Sequence, residues 1–308
     1  MNIHEIKTKK LRWININNPA QEEIEYLRDE FDFHPLALED CVTPTHRSKI
    51  DEYKKYYFMV LLFPIYDRKS REIRPAEVHF FIGKGFLVTI HDNELPPLVD
   101  MFRLCQNSQE ARQKHFEESI DMLLYYILEK LLLYIYPMLD HLSLDIDSSE
   151  KEIFSGNEKK MVEEILVIRR NITDFRKIMQ VHKKTLQKLT SWLQANDNFA
   201  ITKNDLHYSN LIDHTKEFWD ALGGYKEAIE ALQETNESLI SHRINDIMKT
   251  LTVISLTMLP VTVIASIFGM NFKSIPLADS PNGFWILILV NVLVISTIAL
   301  YFKRKRWI

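Results

Sequence analysis

Twenty-one uncharged residues, Thr250 to Met270, run into an amide at Asn271. Counting from Asn245, the residues Met248, Thr252, Ser255, Leu259, Thr262 and Ser266 recur at helical spacing on one face of this run. Amides and hydroxyls accept and donate hydrogen bonds without carrying charge. A stripe of them on an apolar helix suits the wall of a water-filled path. It equally suits close helix packing, because small residues let helices approach. Thr250 and Thr257 lie off the stripe. A two-helix hairpin cannot enclose a pore, so the pore reading calls for several copies of the chain.

Other chemistry is sparse. The eleven histidines are scattered, with no Ser/His/Asp or Cys/His grouping, so no enzyme is expected. Glu39-Asp40 reads as a solvated or packing pair. Cys41 and Cys105 lack zinc-finger spacing and read as reduced thiols. No GxxxxGK[ST] loop offers a nucleotide site. A net charge of -4 gives no basic excess for nucleic acid. The opening MNIHEIKTKK has no apolar core, so no signal peptide is expected there.

The elements that must position the stripe follow from periodicity. Residues 1–115 read as an α/β domain. LRWINI is a strand, and PAQEEIEYLRDEF a helix with Asn18 as N-cap and Pro19 at its first position. YYFMVLLFPIY and VHFFIGKGFLVTIHD are further strands, the second broken by a hairpin turn at Gly83-Lys84-Gly85. Residues 116–249 read as long helices forming a stalk. The apolar run Met122–Leu139 carries Glu129 and Lys130 mid-way, which favours a buried helix over a membrane span. A second long helix is expected over Glu158–Trp192. After a polar break, a third runs from Leu206 to Met270, roughly 100 Å at 1.5 Å per residue. In it Leu222, Tyr225, Ile229, Leu232, Asn236 and Leu239 step by three and four. That is either a coiled-coil seam or packing within the chain. Gly223-Gly224 costs helix propensity there, which close packing would explain.

Residues 250–270 and 283–302 are each long enough to cross a hydrocarbon core of about 30 Å. The basic tail at 303–308, Lys303-Arg304-Lys305-Arg306, places the C-terminus in the cytoplasm by the positive-inside rule. With two spans the N-terminal domain is cytoplasmic too, and the loop 271–282 faces outward. The expected protein is thus a multi-pass α+β protein of the plasma membrane.

Gly269-Met270-Asn271 closing the first of two C-terminal spans, with a Lys/Arg tail after the second, resembles the CorA family of divalent-cation channels. MKTLTVISLTMLPVTVIASIFGMNF is similar to that family's first span, including Pro260, and HPLALED with the following Arg and Lys resembles its cytoplasmic segment. The resemblance implies a funnel-shaped homopentamer in the lipid bilayer. Gly269, Met270 and Asn271 would ring the ion entry, and Asn245, Met248, Leu251, Leu259 and Thr262 would face the pore. It implies magnesium as the transported and the regulatory ion, cobalt and nickel as surrogates, gating by internal magnesium, and no organic cofactor. Four positions depart from the family pattern. Lys273 and Leu277 stand at usual glutamates of the outer loop, leaving Asp279 as its one acid. Asn210 stands where the family has a regulatory Asp, with Asp213-His214 kept. Ser266 replaces a common glycine. Alternatives are a zinc or other transition-metal transporter of the same fold, against which Met270 speaks, and a membrane-tethered sensor without transport.

Overall fold

The computed structural model describes residues 2–8, 11–43, 47–116, 119–195, 205–270, 280–305 and 307. The chain divides into two compact units, Met1–Gln233 and Glu234–Ile308.

The first unit is built on a six-stranded sheet in the order β1-β2-β6-β5-β4-β3. Its strands are β1 (Ile3–Lys7), β2 (Arg12–Asn17), β3 (Lys49–Glu52), β4 (Tyr56–Asp67), β5 (Glu72–Gly83) and β6 (Phe86–His91). Only β2 and β6 pair in parallel; the other neighbours are antiparallel. β4 and most of β5 are buried on both faces, so the aromatic and branched runs read as strands lose the usual apolar–polar alternation. The hairpin turn falls where expected. Gly85 has φ 81°, and a Cβ on Gly83 would strike the Phe86 ring at 2.2 Å.

One face of the sheet is covered by α1 (Gln21–Phe31) and α2 (Pro35–Asp40), which bury Leu27, Phe33 and Leu38 against Phe58, Phe81 and Val88. The start of α1 differs from expectation. Its N-cap is Ala20. Asn18 sits two residues earlier at φ 50°, and Glu23 accepts from the backbone N–H of Ala20 at 3.0 Å and of Asn2 at 2.7 Å. A buried carboxylate thus does the work assigned to an amide cap. α2 opens as its sequence suggests: Pro35 is at the first turn and His34 Nδ1 accepts from Leu36 N–H at 3.2 Å. Asp40 closes it with an ion pair to Lys49, so the acidic pair has a packing role on that side.

The other face carries helices. α3 (Pro96–Asn107) and α4 (Gln109–Phe116) precede α5 (Ile120–Leu133), which lies against β6. α6 (Tyr136–Phe154) is followed by α7 (Glu158–Met179), which lies against β4 and β5. The apolar run at 122–139 is buried, as its mid-run charges require, and it turns at Tyr134-Ile135 just before Pro137. The single helix expected over Glu158–Trp192 is two helices, α7 and α8 (His182–Gln194), separated at Gln180-Val181. No Gly or Pro marks that break.

α9 (Asp205–Phe268) is continuous over 64 residues and contributes to both units. Of its three-four stripe, Leu222, Ile229 and Asn236 are buried within the chain, while Tyr225, Leu232 and Leu239 are half-buried; nearer its start Tyr208, Leu211 and Phe218 are fully buried too. Tyr208 donates to the Asp121 carbonyl at 2.8 Å. Gly223 and Gly224 need no close approach, since a Cβ on Gly224 would meet nothing within 4 Å. The second unit holds the end of α9 and α10 (Gly283–Arg304).

Candidate functional site

Three described helical stretches are long and apolar enough to cross a membrane: Ile120–Phe154, Leu206–Phe268 and Gly283–Arg304. Burial separates them. In the first, 56% of the apolar window is buried, against 0% and 6% in the other two. A buried apolar helix is core; two apolar helices left bare need a non-aqueous surrounding.

In the second unit the last charges before the apolar run are Asp246 and Lys249, joined at 2.8 Å. That ammonium holds the Asp246 carboxyl below the usual carboxylate range. Beyond them, α9 has two distinct faces. Val253, Thr257, Pro260, Ile264 and Phe268 are partly covered and recur at three-four spacing. On α10 the covered or partly covered positions Gly283, Leu287, Asn291, Val294, Ile298 and Phe302 do the same. Matching stripes of this kind are what two helices produce when each shields the other. At 100° per residue, the opposite side of α9 carries Met248, Leu251, Ser255, Leu259, Thr262 and Ser266. All six are exposed, as is Asn245 one turn earlier.

Threonine hydroxyls in this stretch bond back to the helix. Thr252 Oγ1 donates to the Met248 carbonyl at 2.8 Å and Thr262 Oγ1 to that of Met258 at 2.9 Å. Each hydroxyl proton is therefore spent on the helix, and its lone pairs point outward as acceptors. Pro260 stands inside the helix, where it removes one backbone donor.

The helix ends at the expected turn. Gly269 N–H donates to the Ala265 carbonyl at 3.0 Å and Met270 N–H to that of Ile267 at 3.2 Å. A Cβ on Gly269 would lie 3.2 Å from the Ala265 oxygen, a tight contact that explains the small residue. Met270 is exposed. Asn271, Lys273, Leu277 and Asp279 lie outside the described residues. Lys303 and Arg304 occupy the last turn of α10, complementing its dipole. Lys305 Nζ sits 5.4 Å over the Tyr301 ring, and Arg306 is outside the described residues.

Two features escaped the sequence reading. Asn291 puts an amide in the middle of α10, donating to the Leu287 carbonyl at 3.1 Å. A lone amide in an apolar run was the available signal. Phe284 and Trp285 lie at one end of α10, and Tyr301 and Trp307 at and beyond the other, the placement aromatic residues favour at membrane–water interfaces.

The regulatory candidates lie in the first unit. Asn210 Nδ2 is 3.3 Å from His214 Nε2, and His214 Nδ1 is 2.7 Å from the Tyr136 hydroxyl, which also donates to Glu217. Asp213 is exposed one step along. Among the described residues, no three His, Cys, Asp or Glu side chains are grouped so as to hold a metal ion.

A family model described as CorA-like Mg2+ transporter protein matches residues 8–304. The cobalt/magnesium transport protein CorA of Thermotoga maritima is 27% identical over 96% of this chain and 83% of its own length. Its namesake from Methanocaldococcus jannaschii is 25% identical over 97% of this chain and 92% of its own. The complete structure of the CorA magnesium transporter from Methanocaldococcus jannaschii superposes with a TM-score of 0.82 at 23% identity, covering 99% of this chain and 94% of that one. The α/β domain, long helix and C-terminal apolar helices thus share one fold with it.

Proposed function

The chain belongs to the CorA-like Mg2+ transporter family, and on that premise we propose that it is a magnesium-influx channel whose pathway is lined by the exposed face of α9. One observation carries the reading: Asn245, Ser255, Thr262 and Ser266 stand exposed on the side of α9 away from its partly covered stripe. Polar side chains facing hydrocarbon are costly. Facing other copies of α9 around a shared axis, they instead line a wet path. A homopentamer in the plasma membrane, with both termini cytoplasmic and residues 271–282 outside, meets that requirement.

Magnesium sheds its water reluctantly. Its bound waters turn their hydrogens outward, so the wall must accept. Thr262, with its own proton tied to Met258, is such an acceptor. Asn271, Met270 and Gly269 form the entry, where amide and carbonyl oxygens hold the hydrated ion without the grip of a carboxylate ring. Inward movement of a divalent ion gains about 4.6 kcal/mol per 100 mV of inside-negative potential, twice the single-charge figure. No nucleotide or organic cofactor enters this scheme. Magnesium also acts as the regulatory ion, with Asn210 and Asp213 as candidate contacts on the cytoplasmic side.

The deciding experiment is magnesium flux into liposomes holding the purified protein, with cobalt, nickel and zinc as competitors. Saturable, potential-driven magnesium entry supports the reading. Zinc flux without magnesium flux would replace it with a transition-metal transporter, and no flux at all with a tethered sensor.

A further inference from the structure

The end of α10 is built rather than frayed. Lys305 N–H donates to the Tyr301 carbonyl at 3.1 Å and Trp307 N–H to that of Phe302 at 3.0 Å. Carbonyls that a helix end leaves open are thereby occupied, and the chain turns back on itself. The turn lays the Trp307 ring against that of Phe302, with centroids 5.4 Å apart and planes at 26°. Phe302 is buried, whereas Trp307 remains exposed. Lys305 Nζ stands 5.4 Å over the Tyr301 ring, which keeps its ammonium beside the last turn.

The charge around this turn is one-sided. Lys303, Arg304 and Lys305 are exposed, and among the described residues none of them makes an ion pair. No acid is at hand in the sequence either, since Ser280 to Ile308 contains no Asp or Glu. The start of the other apolar run differs, because there Lys249 is matched by Asp246 at 2.8 Å.

At about 100° per residue, three successive cations spread over about 200° of the helix circumference. They make a collar rather than a stripe. Charges that point apart cannot converge on one small anion, but they suit a layer of negative groups around the helix. A guanidinium adds a fork that matches phosphate oxygens. Tyr and Trp favour the depth at which one side is apolar and the other wet, so Tyr301 and Trp307 set the collar at the level of lipid headgroups. A free phosphate ion would make no use of these rings.

We propose that Lys303, Arg304 and Lys305, with Tyr301 and Trp307, bind anionic glycerophospholipid headgroups of the cytoplasmic leaflet in preference to zwitterionic ones. The proposal rests on reading α10 as a membrane span with its basic end inside, and not on ion conduction.

The test is tryptophan fluorescence of the full-length Trp285→Phe protein in phosphatidylcholine vesicles, which leaves Trp307 as the indole at the end of a span. A minor fraction of the lipid is replaced by brominated phosphatidylglycerol or, in parallel, by brominated phosphatidylcholine. Quenching by the anionic lipid should be stronger by about fivefold or more at equal mole fraction, corresponding to about 1 kcal/mol for one cation at an anionic surface. Adding Trp307→Phe should remove that excess. Lys303→Gln with Arg304→Gln should bring the two lipids close to parity while phosphatidylcholine still quenches Trp307. Should this variant insert poorly, the unaltered tail decides, because high salt should erase the preference. Equal quenching by the two lipids at low salt, a preference that survives high salt, or relief of quenching by equimolar inorganic phosphate would each overturn the proposal. Quenching by neither lipid would overturn it together with the placement of this chain end at a membrane surface.

Discussion

Thr262 Oγ1 donates to the Met258 carbonyl at 2.9 Å within α9. The bond leaves the hydroxyl at an exposed position with lone pairs and no spare proton, the polarity that a hydrated cation's outward hydrogens require. Thr262→Val keeps the shape and removes the acceptor. Flux per assembled oligomer should fall by about tenfold, corresponding to about 1.4 kcal/mol on the barrier, and Thr262→Ser should restore most of it. Unchanged flux in the valine variant would place Thr262 against lipid or a neighbouring helix.

Asn271 follows directly on the Gly269-Met270 turn. Asn271→Ala removes one amide per subunit and leaves both apolar helices intact, so magnesium flux should be abolished while the detergent-extracted oligomer keeps its size. Near-normal uptake by well-assembled Asn271→Ala protein would remove the turn from the entry site.

Leu251 and Leu259 are exposed on the same side of α9 as Met248. Rings of apolar side chains can close a pore by dewetting. Leu251→Asn should wet such a ring and raise basal flux at high internal magnesium. If Leu251 instead packs at an interface, the buried amide costs about 1–3 kcal/mol, and the yield of oligomer falls with gating unaltered.

Asn210 engages His214 at 3.3 Å and offers a metal only a neutral oxygen. Asn210→Asp supplies a carboxylate to a hard cation. Closure should then occur at lower internal magnesium, read as the concentration that halves flux. A threshold that does not move would locate sensing elsewhere.

His182 is fully buried, edge-on to Phe63 at 5.3 Å. Burial lowers its pKa from 6.5 to about 4. A depressed folded-state pKa contributes stability above the unfolded value, lost as pH falls toward the folded one. The first unit should therefore lose on the order of 1 kcal/mol per pH unit from this residue between pH 6.5 and 4. His182→Phe retains the ring contact and abolishes the titration. Melting curves from pH 7 to 5 should be flatter for this variant than for the parent; parallel curves would refute the assignment.

Much of this protein was legible in one dimension, because membranes and sheets impose strong periodicities. Twenty apolar residues ending in Lys303-Arg304 read as a span, and two aromatic and β-branched runs parted at Gly83-Lys84-Gly85 read as a hairpin. The amide at Asn271 and the hydroxyl stripe were visible as composition at helical spacing. Tertiary structure decided what periodicity leaves degenerate. Leu222 and Ile229 fit a seam between copies as well as packing within the chain, and only burial against the first unit's other helices selects the second. The break at Gln180-Val181 carries no Gly or Pro and answers to packing rather than to local propensity. Ala20 became the cap of α1 because Glu23, three residues on, is buried where it can accept from two backbone N–H groups. Asp40, His79 and Asp92, far apart in the chain, line one cleft only because sheet pairing brings the end of α2, β5 and the end of β6 together.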